Sequence, residues 1–354
     1  MNLKNQKVKL LVLLTTALGA IGGASWSGLQ LLGGTKEPVT SEVKQNSPTV
    51  AINLSNANIE PPKALADVPG VPNGLFSNGG STTWAAIRAA VNQPIATAWP
   101  NFQLRYTEPT TNLPGSRIGV EMLLNDQLSF AQSSQALTVE EFQGAVNRGF
   151  KLKQVPVAID GLAIAVNPQL NVKGLTLSQL KDIYTGKITN WKEVGGPNLT
   201  IVPYTRSLET GGTLDFFQEN VLQGEKFTEK IKIVRDTTQG LRSVSGAPGG
   251  IYYASASMVV PQCTVKALPI GRTLTSLVPP YQGSFVPESE CPAKRNQINR
   301  EAIKSGQYPI TRRLFVIIKE NGQIDEQAGN AYANLLLTEQ GQNLIEQAGF
   351  IKIR

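Results

Sequence analysis

The segment at residues 199–222, LTIVPYTRSLETGGTLDFFQENVL, restricts the fold more than any other part of this sequence. Its apolar start is typical of a short buried strand, and the spacing of Leu214, Phe217 and Val221 is typical of one face of a helix. A turn with two adjacent glycines joins this strand to this helix. Because the first N–H groups of a helix have no partner within it and lie at the positive end of its dipole, this turn favours binding of an anion.

The polar residues of this turn allow two interpretations. Arg206 brings a rigid fork of donors that matches the oxygens of a tetrahedral anion. The alternative is an ordinary strand-to-helix turn, with Thr210 or Thr213 as the helix cap and Arg206 paired to Glu209 on the surface. The segment alone does not separate a ligand site from a capped turn.

Two further turns place hydroxyl groups at predicted helix starts. Residues 78–91, NGGSTTWAAIRAAV, lead from glycine and hydroxyl residues into a helical spacing, and Ser116 stands where another helix begins. Each turn by itself is explained by an ordinary cap, and the repetition together with Arg206 favours the anion site. Strands and helices alternate along the chain, which predicts an α/β fold with largely parallel sheets.

Composition excludes several classes of function. The 354 residues carry a formal charge of +7 and include no histidine, which removes Ser-His-Asp and Cys-His catalytic systems and the commonest metal ligand. With two cysteines, we expect no metal site and no cofactor. Since no cluster of lysine and arginine is interleaved with aromatic residues, we expect no nucleic-acid partner.

The N-terminus predicts export. Three lysines precede an apolar run that ends in small residues near position 24, which is typical of a signal peptide at residues 1–24; the alternative is a retained membrane anchor. Residues 25–71 are rich in polar residues and proline and predict a linker or arm. In an exported protein Cys263 and Cys291 form a disulfide by default, whereas a cytosolic protein would keep two buried thiols.

Seven segments together resemble the phosphate-binding proteins of ABC phosphate importers, the PstS-like branch of the periplasmic binding proteins. They occur in the order of that family and cover about residues 75–354. The segments are NGGSTTW (78–84), VAIDGLAIAVNP (157–168), LTLSQLKDIYTGKITNWKEVGG (175–196), RSLETGGTLDFF (206–217), GAPGGIYY (246–253), YPITRRLFVIIK (308–319) and LLLTEQGQNLIEQAGF (335–350).

The resemblance implies two α/β domains that close on the ligand and are joined by two crossovers, one at Asp160–Gly161 and one at residues 260–266. Residues 72–158 and 265–354 would then form a discontinuous first domain, and residues 159–264 the second. The implied function is that of an exported, monomeric, non-enzymatic receptor in the periplasm or cell envelope, which captures inorganic phosphate and delivers it to a membrane ABC permease.

The same resemblance implies the ligand residues. They are hydroxyl groups, helix-start amides and one arginine: Ser81, Thr82, Thr83, Ser116, Ser134, Arg206, Thr210, Gly211, Gly212 and Thr213. Glu209 would orient Arg206. In this family an aspartate that accepts the proton of phosphate stands where this chain has Ser134, which leaves the ligand open between phosphate and another oxyanion such as sulfate.

Asp160 is a candidate for the displaced proton acceptor, and its alternative role is to stabilise the hinge turn.

Two other functions are alternatives to phosphate capture. One is a binding or sensing module for sulfate, arsenate or molybdate. The other is a phosphoester-processing enzyme, which the missing histidine and missing metal ligands disfavour.

Overall fold

The structure of this protein is a computed structural model that describes residues 62–206 and 212–354. The strands are β1 Gly74–Gly80, β2 Phe102–Tyr106, β3 Phe130–Ser133, β4 Lys151–Val166, β5 Leu175–Thr176, β6 Val202–Arg206, β7 Lys232–Val234, β8 Gly250–Ser255, β9 Lys266–Leu268, β10 Ile270–Gly271, β11 Thr311–Glu320 and β12 Ile351–Lys352. The helices are α1 Ala85–Ala98, α2 Ser116–Leu124, α3 Val139–Val146, α4 Leu177–Thr185, α5 Thr213–Asn220, α6 Thr237–Gly246, α7 Ala256–Val259, α8 Arg300–Lys304, α9 Ile324–Leu337 and α10 Glu339–Gln347. Short 3₁₀ helices cover Leu65–Asp67, Thr82–Trp84, Trp191–Val194 and Glu288–Glu290.

The large sheet is mixed rather than largely parallel as predicted. Its order is β2-β1-β3-β11-β4-β8-β6-β7, and β9 and β12 also pair with β4. The outer pairs are parallel, as in strand–helix–strand units, whereas β11 and β4 pair antiparallel with their neighbours. The parallel pattern therefore holds for the outer strands and fails at the centre of the sheet.

β4 is one continuous strand through the predicted crossover at Asp160–Gly161. Its pairing partners change at this point: β11 pairs with β4 as far as Gly161, and β8 and β9 pair with it from Leu162 onward. The strand therefore belongs to both halves of the sheet.

The buried apolar residues form three clusters. One comes almost entirely from residues 162–310, and the other two come from residues 65–158 and 314–350. Buried residues between 265 and 310 thus pack with the 162–260 part of the chain, whereas the predicted limits assign them to the other domain. The domain limits stay a prediction.

One local prediction is confirmed, since Cys263 and Cys291 form the predicted disulfide with a Cα–Cα distance of 5.7 Å. Thr138 and Thr176 form capping boxes, and Gly186 ends α4 in the left-handed conformation. α9 and α10 are separate helices, because Thr338 is extended and its hydroxyl caps α10.

The N-terminal predictions are described only in part. The predicted signal peptide at 1–24 and residues 25–61 of the predicted linker lie outside the described residues. The last part of that linker is packed on the domain: Leu65 and Val68 are buried in the same cluster as Trp84.

Candidate functional site

Three helix starts meet at one point of the structure. Ser81 caps the 3₁₀ turn that leads into α1, and its hydroxyl accepts a hydrogen bond from the Thr83 amide at 3.3 Å. Ser116 is the first residue of α2, and Gly212 directly precedes α5. The predicted hydroxyl-bearing turns are therefore helix starts, as the sequence indicates.

Ser134, at the end of β3, joins these turns. Its Oγ lies 2.9 Å from Ser81 Oγ and 3.2 Å from Ser116 Oγ, and all three serines are buried. Gly212 packs directly on this group: a Cβ built on it would lie 2.8 Å from Ser134 Oγ. Since Gly212 also has a φ of +68°, both the space and the backbone conformation favour glycine here.

Arg206 ends β6 beside the same turns. Its Nη1 donates to Thr82 Oγ1 at 3.0 Å. Its Nε is buried and has no hydrogen-bond partner within the part of the chain that the structure describes. The guanidinium therefore lies next to the hydroxyl groups of the first turn.

A second arginine, which the sequence interpretation missed, lies under these hydroxyls. Arg312 Nη2 lies 3.0 Å from both Thr83 Oγ1 and Thr213 Oγ1, and its Nη1 lies 3.5 Å from Ser134 Oγ. The side chain is 1% exposed. Arg312 thus links the turn before α1, the first residue of α5 and the end of β3.

Asp160 holds this arginine in place. Its Oδ2 accepts from Arg312 Nε at 3.0 Å and from Nη2 at 2.9 Å, and its Oδ1 accepts from the Ser255 hydroxyl. Burial raises the pKa of the Asp160 carboxyl, while Arg312 and Ser255 act in the opposite direction. Since both oxygens are engaged, the structure places Asp160 as a partner of Arg312. The proton-acceptor role and the hinge role both stay predictions.

A cavity of about 300 Å³ adjoins these residues. Its lining combines the hydroxyl groups and arginine of the helix starts with apolar and aromatic side chains of β8 and α7. It is lined by Thr82, Thr83, Ala85, Ala86, Arg206, Thr213, Leu214, Asp236, Thr237, Tyr252, Tyr253, Ala254, Ser255, Ser257 and Met258.

Most of the predicted ligand residues come together in the structure. The ones joined by the contacts above are Ser81, Thr82, Thr83, Ser116, Ser134, Asp160, Arg206, Gly212 and Thr213. Glu209, Thr210 and Gly211 lie outside the described residues. The residues that the prediction missed are Arg312 and Ser255.

One sequence signal could have found Arg312. Arg312 and Asp160 are Cα partners in the antiparallel pairing of β11 with β4. A buried arginine at the start of an apolar strand needs a carboxylate opposite it, and Asp160 lies within an equally apolar strand. To predict that these two charges form a pair, one would need to know the register between two strands that are distant in the sequence.

The chain matches known proteins both in sequence and in structure. A family model described as a PBP superfamily domain matches residues 55–340, which is most of the chain. The chain belongs to the PBP superfamily. The α/β fold expected from the resemblance is confirmed, and so is the resemblance itself.

Two named relatives share about a quarter of their residues with this chain over the matched region. The phosphate-binding protein PstS of Staphylococcus haemolyticus is 27% identical over 276 residues, covering 77% of this chain and 79% of that protein. PstS of Borreliella burgdorferi is 25% identical over 293 residues, covering 79% and 90%.

Solved structures of the PBP superfamily show the same likeness. A Clostridium perfringens protein with bound phosphate, assigned as a phosphate ABC transporter substrate-binding protein, is 27% identical with a TM-score of 0.63, and the match covers 79% of this chain and all of that one. An ABC-type phosphate transport receptor from Vibrio cholerae has a TM-score of 0.60 at 24% identity, which supports the fold.

The described residues contain neither a metal cluster nor a membrane span. In residues 62–206 and 212–354, no three histidine, cysteine, aspartate or glutamate side chains lie close enough to share an ion. Within the same residues, every helix is too short or too polar to cross a bilayer.

Proposed function

We propose that this protein is a substrate-binding protein that captures inorganic phosphate and delivers it to the permease of an ABC transporter. The observation that carries the proposal is the convergence of six hydroxyl groups from four turns beside two arginines. The hydroxyls belong to Ser81, Thr82, Thr83, Ser116, Ser134 and Thr213, and the arginines are Arg206 and Arg312.

The chemistry of this group suits a tetrahedral oxyanion. Hydroxyls and helix-start amides offer oriented donors, and an arginine supplies the charge-assisted hydrogen bonds that such an anion binds most strongly. The names and titles of the relatives, which include a structure with bound phosphate, support phosphate as the ligand. We assign ligand contacts to Ser81, Thr82, Thr83, Ser116, Ser134, Arg206, Gly212 and Thr213, together with the predicted Thr210 and Gly211.

We propose that binding is coupled to movement of two lobes around β4. Ser81 and Ser134 belong to the part of the chain that packs with residues 65–158, and Gly212 and Arg206 belong to the 162–310 part. Because the serine hydroxyls and Gly212 are in direct contact, an anion entering between them must separate the lobes at this point. The core packing favours residues 310–312, rather than 260–266, as the place where the chain returns to the first lobe.

We further propose that the protein is exported, acts as a monomer and catalyses no reaction. Export is supported by the predicted signal segment and by the Cys263–Cys291 disulfide, since such bonds persist in oxidising compartments. A hydrolytic role is disfavoured because the chain has no histidine to act as a base beside a serine.

Calorimetry with purified protein tests the proposal directly. Phosphate, sulfate, arsenate and molybdate are titrated separately, and phosphate binding with a stoichiometry of one per chain is the expected result. Absence of heat with every oxyanion would contradict the proposal. Release of phosphate from a chromogenic phosphoester by the same preparation would replace it with an enzymatic role.

A further inference from the structure

We propose that Arg117 is a positioning residue, which holds the two lobes together over bound phosphate and slows its release. The first lobe contains the apolar clusters of residues 65–158 and 314–350, and the second contains the cluster of residues 162–310. Arg117 acts by bridging α2 of the first lobe to α5 of the second. This inference rests on the proposed function and concerns the regulation of the same site.

The contacts of Arg117 are the first step. Its Nε donates to Asp215 Oδ2 at 3.0 Å, and its Nη2 donates to Glu219 Oε1 at 2.6 Å. One guanidinium therefore binds two carboxylates through different N–H groups. Arg117 belongs to α2, whose Leu123 is buried in a cluster of the first lobe, and both carboxylates belong to α5, whose Phe217 is buried in the second. Each of the two bonds thus crosses from one lobe to the other.

These bonds lie beside the assigned ligand contacts. Arg117 directly follows Ser116 in the first turn of α2, and Asp215 is two residues after Thr213 in the first turn of α5. The side chain of Asp215 is 17% exposed, so this part of the bridge is partly shielded from water. The two helix starts that carry ligand hydroxyls are therefore tied to each other by the same ion pairs, and separation of the lobes breaks these pairs.

The position of Arg117 is unfavourable for its own helix. A cation in the first turn opposes the helix dipole, whose positive end lies there. On the other side of the bridge, Asp215 and Glu219 are four residues apart on α5, a spacing at which like charges repel each other. Arg117 offsets this repulsion while α2 and α5 are together. The charges are thus compensated across the lobe boundary, which couples their energy to closure.

A second effect of these charges has to be separated from the bridge. The charge of Arg117 attracts an anion at the neighbouring site, and the carboxylates of Asp215 and Glu219 repel it. The two effects predict opposite results when the carboxylates are neutralised. Loss of the bridge speeds the release of phosphate, whereas loss of two negative charges beside the site slows it.

The experiment measures how fast the protein releases phosphate. Protein loaded with radiolabelled phosphate is chased with an excess of unlabelled phosphate, and the bound label is followed with time. We expect Arg117→Ala, and the double variant Asp215→Asn with Glu219→Gln, each to release phosphate about 2- to 10-fold faster, the range for partly exposed ion pairs. A variant with all three changes should be no faster than the faster of these two, because each change removes the same bridge.

Lys187→Ala is the matched control. Lys187 is also a partly exposed cation with two carboxylate neighbours, Glu225 at 2.8 Å and Asp182 at 3.8 Å. These three residues lie within the stretch that forms the second lobe, so their ion pairs do not cross the boundary, and this variant should release phosphate at the wild-type rate. Added NaCl should speed release from the wild type and from Lys187→Ala more than from Arg117→Ala, because salt screens exposed ion pairs.

The possible outcomes separate the two proposals. If the wild type binds phosphate and both bridge variants release it at the wild-type rate, the inference fails and the proposed function stands. The result is the same if Arg117→Ala releases phosphate faster and the carboxylate variant releases it more slowly, since attraction of the anion then explains both rates. A wild type that binds no phosphate overturns the proposed function and the inference together.

Discussion

Two buried cations on the same strand, β11, have very different surroundings. Arg312 pairs with Asp160, and the side chains of both are 1% exposed. Lys319, near the other end of the strand, is 2% exposed, but the side chain of its partner Asp126 is 78% exposed. Around Arg312 lie three hydroxyls, whereas the ammonium of Lys319 lies 5.8 Å from the ring centre of Phe150.

The difference shows what distinguishes a candidate site from a structural ion pair. Both cations are buried, so burial of the charge does not separate them. The two ion pairs differ in whether the carboxylate partner is buried and in whether hydroxyl groups surround the cation. A buried cation whose carboxylate partner is exposed to solvent is explained as a structural ion pair. A cation that is buried together with its carboxylate and several hydroxyls is a candidate for a functional site.

Breaking the enclosed pair should have the largest effect on stability. Arg312→Met leaves the Asp160 carboxylate buried without its cation, and we expect the free energy of unfolding to fall by about 3–5 kcal/mol. Urea denaturation measures the change, with Arg313→Met as the control. If Asp160→Asn does not restore most of the loss in the double variant, the pair is not the cause.

Removing Arg206 should have the next largest effect, on binding rather than on folding. Arg206 is half-buried, and Arg206→Ala should weaken phosphate binding by about 2–5 kcal/mol, as for loss of one partner of a desolvated charge pair. Arg206→Lys should recover only part, because an ammonium lacks the bidentate fork. Near-normal phosphate affinity in the alanine variant, measured by calorimetry, would remove Arg206 from the site.

Lys319→Met tests the other member of the comparison. Asp126 is exposed and can be hydrated when its cation is lost, so we expect a change of about 1 kcal/mol or less in the free energy of unfolding. Phosphate affinity should be unchanged. A loss as large as that of Arg312→Met would show that exposure of the partner does not decide the cost.

The smallest effect is expected for an ion-pair bridge whose cation is exposed to solvent. Arg117 is 42% exposed and bridges from α2 to Asp215 and Glu219 on α5. Arg117→Ala should change the free energy of unfolding by about 0.2–1 kcal/mol, the range of solvent-exposed pairs. Phosphate affinity that falls more than tenfold in this variant would assign the bridge a larger part in holding the lobes together than exposed ion pairs supply.

The parts of this site that depend on residues close together in the chain can be predicted from the sequence. Helix starts are set by residues close to one another in the chain, so Ser81, Ser116 and the turn before Thr213 could be predicted from spacing and capping preferences. Arg206 could be predicted because it stands in the same turn. The exact contacts of Ser134 with Ser81 and Ser116 could not, since they depend on how β1 and β3 pair.

The contacts of the site that join distant parts of the chain could not be predicted by the same reasoning. Arg312 and Asp160 are 152 positions apart, and their contact depends on the register between β4 and β11. The same limit explains why the sheet was predicted as largely parallel, since the direction of pairing between distant strands cannot be derived from local patterns.

β4 also has a consequence for how the chain reaches its native state. Its residues leave the ribosome well before β8, and β11 follows later still, so the central strand must wait for both of its main neighbours. Contacts between parts so distant in sequence slow folding, because the entropy of closing a long loop is lost before the contacts form. We therefore expect a fragment that ends before Thr311 to stay unfolded or aggregate, and the arrival of β11 to be the step that completes both the sheet and the anion site.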